Sequence, residues 1–325
     1  MTASNPVLRQ VNLDAADVAV LDRQLGELAG SGLDVRIADD AQLTPLARIS
    51  RPDRLAEALA GPAAPALLVT RPPIDEPIGP TPGNWRANPG STPAHDLWLA
   101  LLAETVGTAV CWSSLQAGRL VLDVLPVRGH EQAQTGAGSR AELEFHVEDA
   151  FDADRCDVLL LLGLRNAELV GATVGVAPLH ELGDADLDVL SAPRYLIRPD
   201  PEHRDDRGPA AGPDNPVPVL CWQDDQPLLR IDPSYTTPLD GTAAAVFRRL
   251  CAAIADRLTD VVLRPGDVLV VDNQRAVHGR RSFRPSYDGT DRWLRKMTAV
   301  RDVERVRHRM AGGGRRLVTW QPHGS

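Results

Sequence analysis

The sequence predicts a mainly β protein with flanking helices, in which short strands form an antiparallel sandwich or barrel. Strand-like runs dominate the chain after residue 140, and only a few segments have the apolar spacing of a helix. This combination is typical of packed sheets with helices outside them. No βαβα alternation, GxGxxG motif or P-loop occurs, which argues against a doubly wound nucleotide-binding sheet.

The first part of the chain alternates helical and extended segments. Residues 13–30 have apolar positions at helical spacing and end at a glycine, so we expect a helix there. The run "PALLVT" at 65–70 predicts a strand, and the proline- and glycine-rich stretch at 71–85 predicts a loop. A helix is expected at 94–107 and a strand at 118–127.

The second part is predicted to be mostly strands. They are expected at 141–148, 156–162, 171–177, 217–222, 228–232, 267–272 and 292–299. One helix, at 242–258, interrupts them. Residues 197–216 are polar and rich in proline and glycine, a composition that favours either a lid or an unstructured insertion.

Composition narrows the functional classes. The chain has 325 residues, 43% of them hydrophobic, so a sizeable core can form. A net charge of -9 argues against a general nucleic-acid binder. The sequence lacks an apolar run near membrane-spanning length and a signal-peptide pattern, and we expect a cytoplasmic protein without a membrane partner. Four dispersed cysteines without a CxxC pair suit reduced, buried thiols.

The stretch "RAELEFHVEDAF", residues 140–151, contains two potential metal ligands, His146 and Glu148. Side chains two apart on a strand point the same way, about 6.6 Å apart at the backbone, so both can reach one ion. With 8 histidines and 44 acidic residues among 325, about one such pair is expected by chance. A second pair, His203 and Asp205, lies in the polar segment, and we interpret it as solvated surface. Taken alone, the first pair favours a strand with a solvated polar face.

A third potential ligand strengthens the metal hypothesis. His278 follows the run "DVLVVD" in what reads as a short turn ending at Gly279. Two histidines and one carboxylate form the facial triad that holds Fe(II) and leaves three positions open, although a catalytic zinc site uses similar residues. On the next strand-like run, Arg292, Leu294 and Lys296 share a face. Two cations on one face suit two carboxylates, and the alternative is that they are ordinary solvated strand residues.

Two segments resemble the signature of a known family. "FHVEDAF" and "GDVLVVDNQRAVHGRRSFRPSYDGTDRWLRK" look like those of the clavaminate synthase-like branch of Fe(II)/2-oxoglutarate-dependent oxygenases, particularly the arginine and asparagine hydroxylases. The resemblance covers roughly residues 60–300. It implies a double-stranded β-helix (jelly-roll) core flanked by helices. The whole chain, 1–325, would be one oxygenase domain, with a helical N-terminal part at about 1–110, a core at about 118–300 and a lid at about 197–216.

The same resemblance implies roles for individual residues. His146, Glu148 and His278 would bind Fe(II). Arg292 would pair with the C5 carboxylate of 2-oxoglutarate, and Thr173, in "GATVGV", would touch the same co-substrate. O2 would be the second co-substrate. Because Glu148 is present, a halogenase, which needs that position free for halide, is disfavoured.

The resemblance to the family is weaker at the residues that would bind the substrate. Lys296 stands where close relatives have an arginine for the substrate α-carboxylate, and Gln116 resembles a glutamine near the substrate amino group. Asp232 falls where the arginine hydroxylases have two acids facing the guanidinium, spaced by two. This chain has Ser234 at the second position, which argues against arginine itself.

The implied reaction is hydroxylation of an unactivated C–H bond, at Cβ, of a free L-amino acid with a cationic or amide side chain, in specialised-metabolite (antibiotic) biosynthesis. Three alternatives remain open at this point. In the first, the protein is an oxygenase whose amino-acid substrate is carrier-tethered or modified, or whose reaction is desaturation or cyclisation. In the second, it is a non-catalytic metal-binding jelly roll, and in the third it is a zinc hydrolase.

Overall fold

A computed structural model describes residues 7–37, 39–60, 64–87, 92–205, 208–209 and 215–319. Its helices are α1 (Ala15–Gly30), α2 (Asp40–Leu43), α3 (Asp53–Leu59), α4 (Pro93–Val106), α5 (Asp184–Ser191), α6 (Gly241–Ala255) and α7 (Glu304–Arg307). Short 3₁₀ turns lie at Thr44–Arg48, Gln116–Gly118 and Leu179–Glu181.

The strands are short, as their turn-bounded sequence runs predict. They are β1 (Leu8–Asn12), β2 (Ala66–Thr70), β3 (Thr108–Trp112), β4 (Leu122–Val124), β5 (Leu143–His146), β6 (Val158–Arg165), β7 (Gly171–Val176), β8 (Tyr195–Ile197) and β9 (Arg204–Asp205). The chain continues with β10 (Gly208–Pro209), β11 (Leu220–Gln223), β12 (Gln226–Leu229), β13 (Thr236–Pro238), β14 (Thr259–Val262), β15 (Val268–Asp272), β16 (Ala276–Arg280), β17 (Trp293–Val300) and β18 (Leu317–Val318).

Two sheets form the centre of the molecule. The larger has the order β1-β2-β15-β6-β17-β3-β18, and β4 also pairs with β17. The smaller has the order β14-β7-β16-β5, with antiparallel neighbours. The first two strands belong to the larger sheet, so the N-terminal part supplies strands as well as helices.

Period-two alternation along β6 separates two cores. Leu160 and Leu162 pack toward the helices, in a cluster with Trp98 of α4. Leu159 and Leu161 point the other way and pack with Val174 of the smaller sheet. Because successive strand residues face opposite sides, one apolar run supplies both cores. The layer order is therefore helices, larger sheet, smaller sheet, and then α5 and α6 on the outer side.

Local signals explain where the main helices begin. The side chain of Asp14 caps α1 by accepting from the backbone N–H of Ala16 and Asp17. Asp240 caps α6 in the same way through Ala243. Proline at the first position begins α4, where the missing N–H has no cost. Residues 95–103 of α4 are all buried, since this helix lies against the larger sheet and beneath the surface helices.

Most sequence-predicted elements are confirmed within a few residues, including the helices at 13–30, 94–107 and 242–258. Three expectations need correction. The strand expected at 118–127 is only Leu122–Val124, because a 3₁₀ turn precedes it. The strand expected at 141–148 ends at His146. His278 lies inside strand β16 and not in a turn, because β16 pairs on both sides, with β5 and β7.

The predicted lid at 197–216 is described in part. Strand β8 ends at Ile197, the first residue of this segment, and a two-residue antiparallel pairing joins β9 to β10. Residues 206–207 and 210–214 of this segment lie outside the described residues. Across the described ranges, no helix has the length and apolarity needed to cross a bilayer.

Candidate active site

The structure brings His146, Glu148 and His278 into one cluster. One potential ligand atom from each lies within 4.8 Å of the other two. The Nε2 of His278 is 3.5 Å from the Oε2 of Glu148, which is longer than a hydrogen bond and suits two ligands of one ion. The two imidazole ring centroids are 4.3 Å apart. Two nitrogens, one carboxylate oxygen and no thiolate form a donor set that fits Fe(II).

Strand pairing explains how the two histidines meet. His278 and His146 are direct cross-strand partners in the smaller sheet. On its other side, His278 is opposite Val174, which belongs to the core between the sheets. The cluster therefore lies between the two sheets. His146 Nδ1 lies 2.9 Å from the carbonyl oxygen of Glu144, which fixes the ring and leaves Nε2 for a metal.

Glu148 is held by a side chain that the sequence did not single out. It lies beyond the end of β5, so the strand ladder does not fix it. Its backbone N–H donates to Asn273 Oδ1 at 2.6 Å, and Asn273 Nδ2 donates back to the Glu148 carbonyl at 3.0 Å. Asn273 is fully buried. The amide residue directly after the run "DVLVVD" was the available signal.

Asn273→Ala is expected to weaken metal binding about 10- to 100-fold, because groups that orient a ligand typically have effects of this size. Titration with Fe(II) under anaerobic conditions, or with Co(II), would measure the affinity. Gln274→Ala is the matched control, since its amide binds Cys156 and Asp157 and does not touch Glu148. Equal loss of metal affinity in both variants would show that Asn273 has no specific role in placing Glu148.

Burial and neighbouring charges set the protonation of the cluster. Burial and the nearby His146 lower the pKa of His278 to about 4, so its imidazole is neutral at physiological pH, as a metal ligand requires. Burial raises the pKa of Glu148, but the charge of Lys296 and the contact with His278 outweigh burial and hold it well below its usual range. Glu148 is therefore a carboxylate.

Lys296 forms an ion pair with Glu148, one of the three potential metal ligands. Its Nζ donates to Glu148 Oε1 at 2.6 Å, while the other carboxylate oxygen faces His278. Burial alone would lower the pKa of Lys296, but the charges of Glu148 and Glu202 raise it above its usual value. An ammonium has three N–H donors, so the pairing with Glu148 leaves others for a ligand.

Arg292 is a buried cation in the same pocket. Its side chain lines the pocket beside His278 and Lys296, and the residue is 6% exposed. Its Nε has no hydrogen-bond partner among the described residues. Burial, and secondarily the charge of Arg280, lower the pKa of Arg292 to about 9. A buried guanidinium that forms no ion pair with any acid of the described chain fits an anionic ligand.

Thr173 is not one of the residues that line this pocket, but it adjoins Gly279, which is. Thr173 on β7 lies opposite Gly279 on β16, and Thr173 is 1% exposed. A Cβ on Gly279 would lie 2.6 Å from the carbonyl oxygen of Leu143 and 2.8 Å from the hydroxyl of Thr173. Only glycine fits between them. Arg280, by contrast with Arg292, is held by the carbonyl oxygens of neighbouring backbone.

Three further carboxyl groups line the pocket, those of Asp200, Glu202 and Asp232. Burial and the neighbouring Glu202 raise the pKa of Asp200 to about 6. Burial also raises the pKa of Asp232, whose Oδ1 accepts from the backbone N–H of Ser234 and Tyr235. The pocket thus combines the cations Lys296 and Arg292 with three carboxyl groups besides that of Glu148.

Gln116 lies apart from the metal pocket. It lines a neighbouring cavity of about 750 Å³ that shares Thr135 and Glu202 with the pocket. Its Nε2 donates to the carbonyl oxygen of Asp123 and its Oε1 accepts from the N–H of the same residue. The direct effect of Gln116 is therefore to fix the backbone of β4.

The interpretation of His203 as solvated surface was wrong. The residue is 1% exposed, and its Nε2 lies 2.9 Å from the Oδ1 of Asp149. The polar composition of the surrounding segment predicts exposure, but composition does not show that His203 itself packs inward against Asp149.

Comparisons with known proteins agree with this geometry. Residues 116–298 match the model of the taurine catabolism dioxygenase TauD, TfdA family. Enduracididine beta-hydroxylase of Streptomyces hygroscopicus is 36% identical over 278 residues, covering 78% of this chain and 81% of the relative.

Two solved structures are similar over nearly the whole chain. The non-heme iron oxygenase OrfP, in complex with Fe, succinate and (3S)-hydroxy-L-Arg, has a TM-score of 0.85 and 32% identity, covering 95% of this chain and 99% of that one. Asparagine oxygenase, in complex with Fe(II), 2S,3S-3-hydroxyasparagine and succinate, has a TM-score of 0.86 and 30% identity, covering 96% and 99%. The chain therefore belongs to the TauD/TfdA family of dioxygenases, the Fe(II)/2-oxoglutarate-dependent enzymes whose signature segments its sequence resembles.

Proposed function

We propose that this protein hydroxylates an unactivated C–H bond, at Cβ, of a free L-amino acid with a cationic side chain, in specialised-metabolite biosynthesis. The observation that carries the proposal is the His146–Glu148–His278 cluster sharing one pocket with Arg292, whose Nε has no partner among the described residues. We further propose that the two facing sheets form a double-stranded β-helix (jelly-roll) within a single oxygenase domain, and that the enzyme is cytoplasmic.

His146, Glu148 and His278 would hold Fe(II) from one side. The iron, with 2-oxoglutarate and O2, supplies the oxidising chemistry when bound. The protein's part is to fix the three donors. The ring of His146 is oriented by a backbone carbonyl, and the backbone of Glu148 by Asn273. Both arrangements keep the donors in place before any ligand arrives.

Arg292 would bind the distal carboxylate of 2-oxoglutarate. A guanidinium offers a planar fork that matches a carboxylate, and burial strengthens the pairing because water does not compete. Thr173, which adjoins the pocket residue Gly279, would add a hydrogen bond from its hydroxyl to the same co-substrate. No acid of the described chain competes for the Nε of Arg292.

The presence of both cationic and acidic side chains in the pocket favours an amino acid as substrate. Lys296 would bind the α-carboxylate with the N–H groups that Glu148 does not use. Asp232, helped by Asp200 and Glu202, would face a cationic side chain. Gln116 Oε1 would offer its remaining lone pair to the substrate amino group from the neighbouring cavity. This polarity favours a basic side chain over an amide.

The decisive experiment is anaerobic reconstitution with Fe(II) and 2-oxoglutarate, followed by a screen of free amino acids. The visible charge-transfer band of the ternary complex should appear. On addition of O2, basic amino acids should stimulate succinate release and yield hydroxylated products by mass spectrometry. A band without stimulation by any free amino acid would reject this proposal and favour a carrier-tethered substrate.

Lys296→Met is expected to raise the KM for the amino acid about 10- to 100-fold, the effect of losing one charge-assisted hydrogen bond. The KM for 2-oxoglutarate should change little, because Arg292 serves that ligand. Lys296→Arg, which keeps the charge, should retain much of the affinity. A rise in the two KM values by the same factor would contradict the assignment of Lys296 to the substrate.

A further inference from the structure

A chain of hydrogen bonds joins the metal-ligand segment to the wall of the substrate pocket. The indole N–H of Trp112 donates to Asp149 Oδ2 at 2.6 Å. His203 Nε2 lies 2.9 Å from Asp149 Oδ1, and His203 Nδ1 lies 2.8 Å from Ser114 Oγ. Both ring nitrogens of His203 are thus engaged, by two separate parts of the chain. Ser114 follows β3, and Asp149 directly follows the ligand Glu148.

The imidazole is enclosed as well as hydrogen-bonded. The side chains of His203 and Asp149 are 1% and 2% exposed. The ring lies edge-on to Phe151, with centroids 4.8 Å apart, and edge-on to Trp112 at 6.0 Å. Burying polar groups in such surroundings is costly unless they are paired. The two hydrogen bonds of the imidazole therefore stabilise this position of the ring. Asp149 adopts a left-handed backbone conformation with φ of 56°, which is uncommon outside glycine.

His203 ends a short turn, residues 200–203, that we call the acidic segment. The backbone N–H of His203 donates to the Asp200 carbonyl at 3.2 Å, and the N–H of Glu202 donates to Asp200 Oδ1 at 2.6 Å. These bonds make the segment one compact unit. Asp200 and Glu202 line the metal pocket, and Pro201 and Glu202 also line the larger cavity. Contacts that fix His203 therefore also fix two of the three acids, Asp200 and Glu202, that line the pocket beside the metal cluster.

We propose that His203 is a positioning residue which, by joining Asp149 and Ser114, holds the acidic segment against the pocket and thereby sets the affinity for a cationic substrate side chain. The proposal rests on the proposed function for the identity of the substrate. His203 itself does not touch the iron ligands or the reacting carbon. Its effect on binding passes through the placement of Asp200 and Glu202.

The test compares His203→Phe with His203→Gln and Ser114→Ala. Phenylalanine keeps the ring packing and removes both hydrogen bonds. Glutamine can restore the bond to Asp149, and alanine at position 114 removes only the other bond. His180→Ala is the control, because its side chain is 81% exposed and contacts only Glu181 among the described residues. Circular dichroism and the thermal midpoint establish that each variant is folded.

His203→Phe is expected to raise the KM for the best basic amino acid about tenfold, equivalent to about 1.4 kcal/mol. The KM for 2-oxoglutarate and the charge-transfer band should stay at their wild-type values, since Arg292 and the ligands are untouched. His203→Gln should recover part of the affinity, and Ser114→Ala should have a smaller effect than His203→Phe. An unchanged amino-acid KM, or a parallel loss of 2-oxoglutarate binding, would overturn the proposal.

A second measurement is independent of turnover. Hydrogen exchange of peptides covering residues 198–205 should accelerate in His203→Phe, while residues 143–148 retain their protection. Unchanged exchange at 198–205 would overturn the proposal, even if no substrate is found. Conversely, faster exchange there in an enzyme that accepts no free amino acid would reject the proposed substrate and leave the anchoring role of His203 standing.

Discussion

His278→Ala is expected to abolish 2-oxoglutarate turnover and to weaken Fe(II) binding by more than about 100-fold, because loss of a ligand exceeds the effect of losing a group that merely orients one. The neutral imidazole of His278 supplies one of only three protein donors in the cluster. The measurement is anaerobic metal titration, together with the charge-transfer band on addition of 2-oxoglutarate. His146→Ala should behave in the same way.

His180→Ala again serves as the control, because its exposed side chain lies outside the cluster. The variants should remain folded, since the removed rings lie in a pocket and not in the centre of an apolar core. A charge-transfer band of normal intensity in either His278→Ala or His146→Ala would refute the metal assignment.

Arg292→Met is expected to raise the KM for 2-oxoglutarate at least about 100-fold while leaving the protein as stable as wild type or more stable. Burial lowers the pKa of Arg292, which means that the folded state disfavours this charge. Removing a buried, unpaired charge therefore removes a destabilising contribution. The stability would be measured by urea unfolding and the affinity by steady-state kinetics.

Arg281→Met is the matched control for Arg292→Met. Arg281 is partly exposed and pairs with Glu142 and Asp260. Its loss should leave the KM for 2-oxoglutarate unchanged and lower stability by a small amount, as exposed ion pairs contribute little. A lower midpoint for Arg292→Met combined with an unchanged KM would mean that Arg292 serves the fold and not the co-substrate.

For β17, the sequence predicts which face each side chain takes, but it does not predict which distant residues the side chains contact. The alternation of residues predicts that Trp293 and Met297 face one side and Leu294 and Lys296 the other, and the structure confirms it. Alternation is a local property, so the sequence suffices to find it. That Lys296 reaches the carboxylate of Glu148 depends on strands distant in sequence, and no local pattern contains this information.

His203 and Asn273 illustrate the same limit. Composition placed His203 in a polar loop, yet the partners that bury it come from two other parts of the chain. Asn273 stands beside a predicted strand, but its bond to Glu148 crosses from one strand end to another. Buried polar residues are stabilised by specific long-range partners, and hydrophobic periodicity does not predict which residues those partners are.

The sequence predicted a mainly β fold with flanking helices from local patterns of residue type and spacing. Together with the family resemblance, it also pointed to His146, Glu148, His278 and the cations on the following strand. The folded structure was needed to show three further features. The three potential ligands meet between two sheets, the Nε of the buried Arg292 has no partner in the described chain, and His203 is buried against Asp149. The physical reason is that burial and hydrogen-bond partnership arise from contacts between segments far apart in the chain.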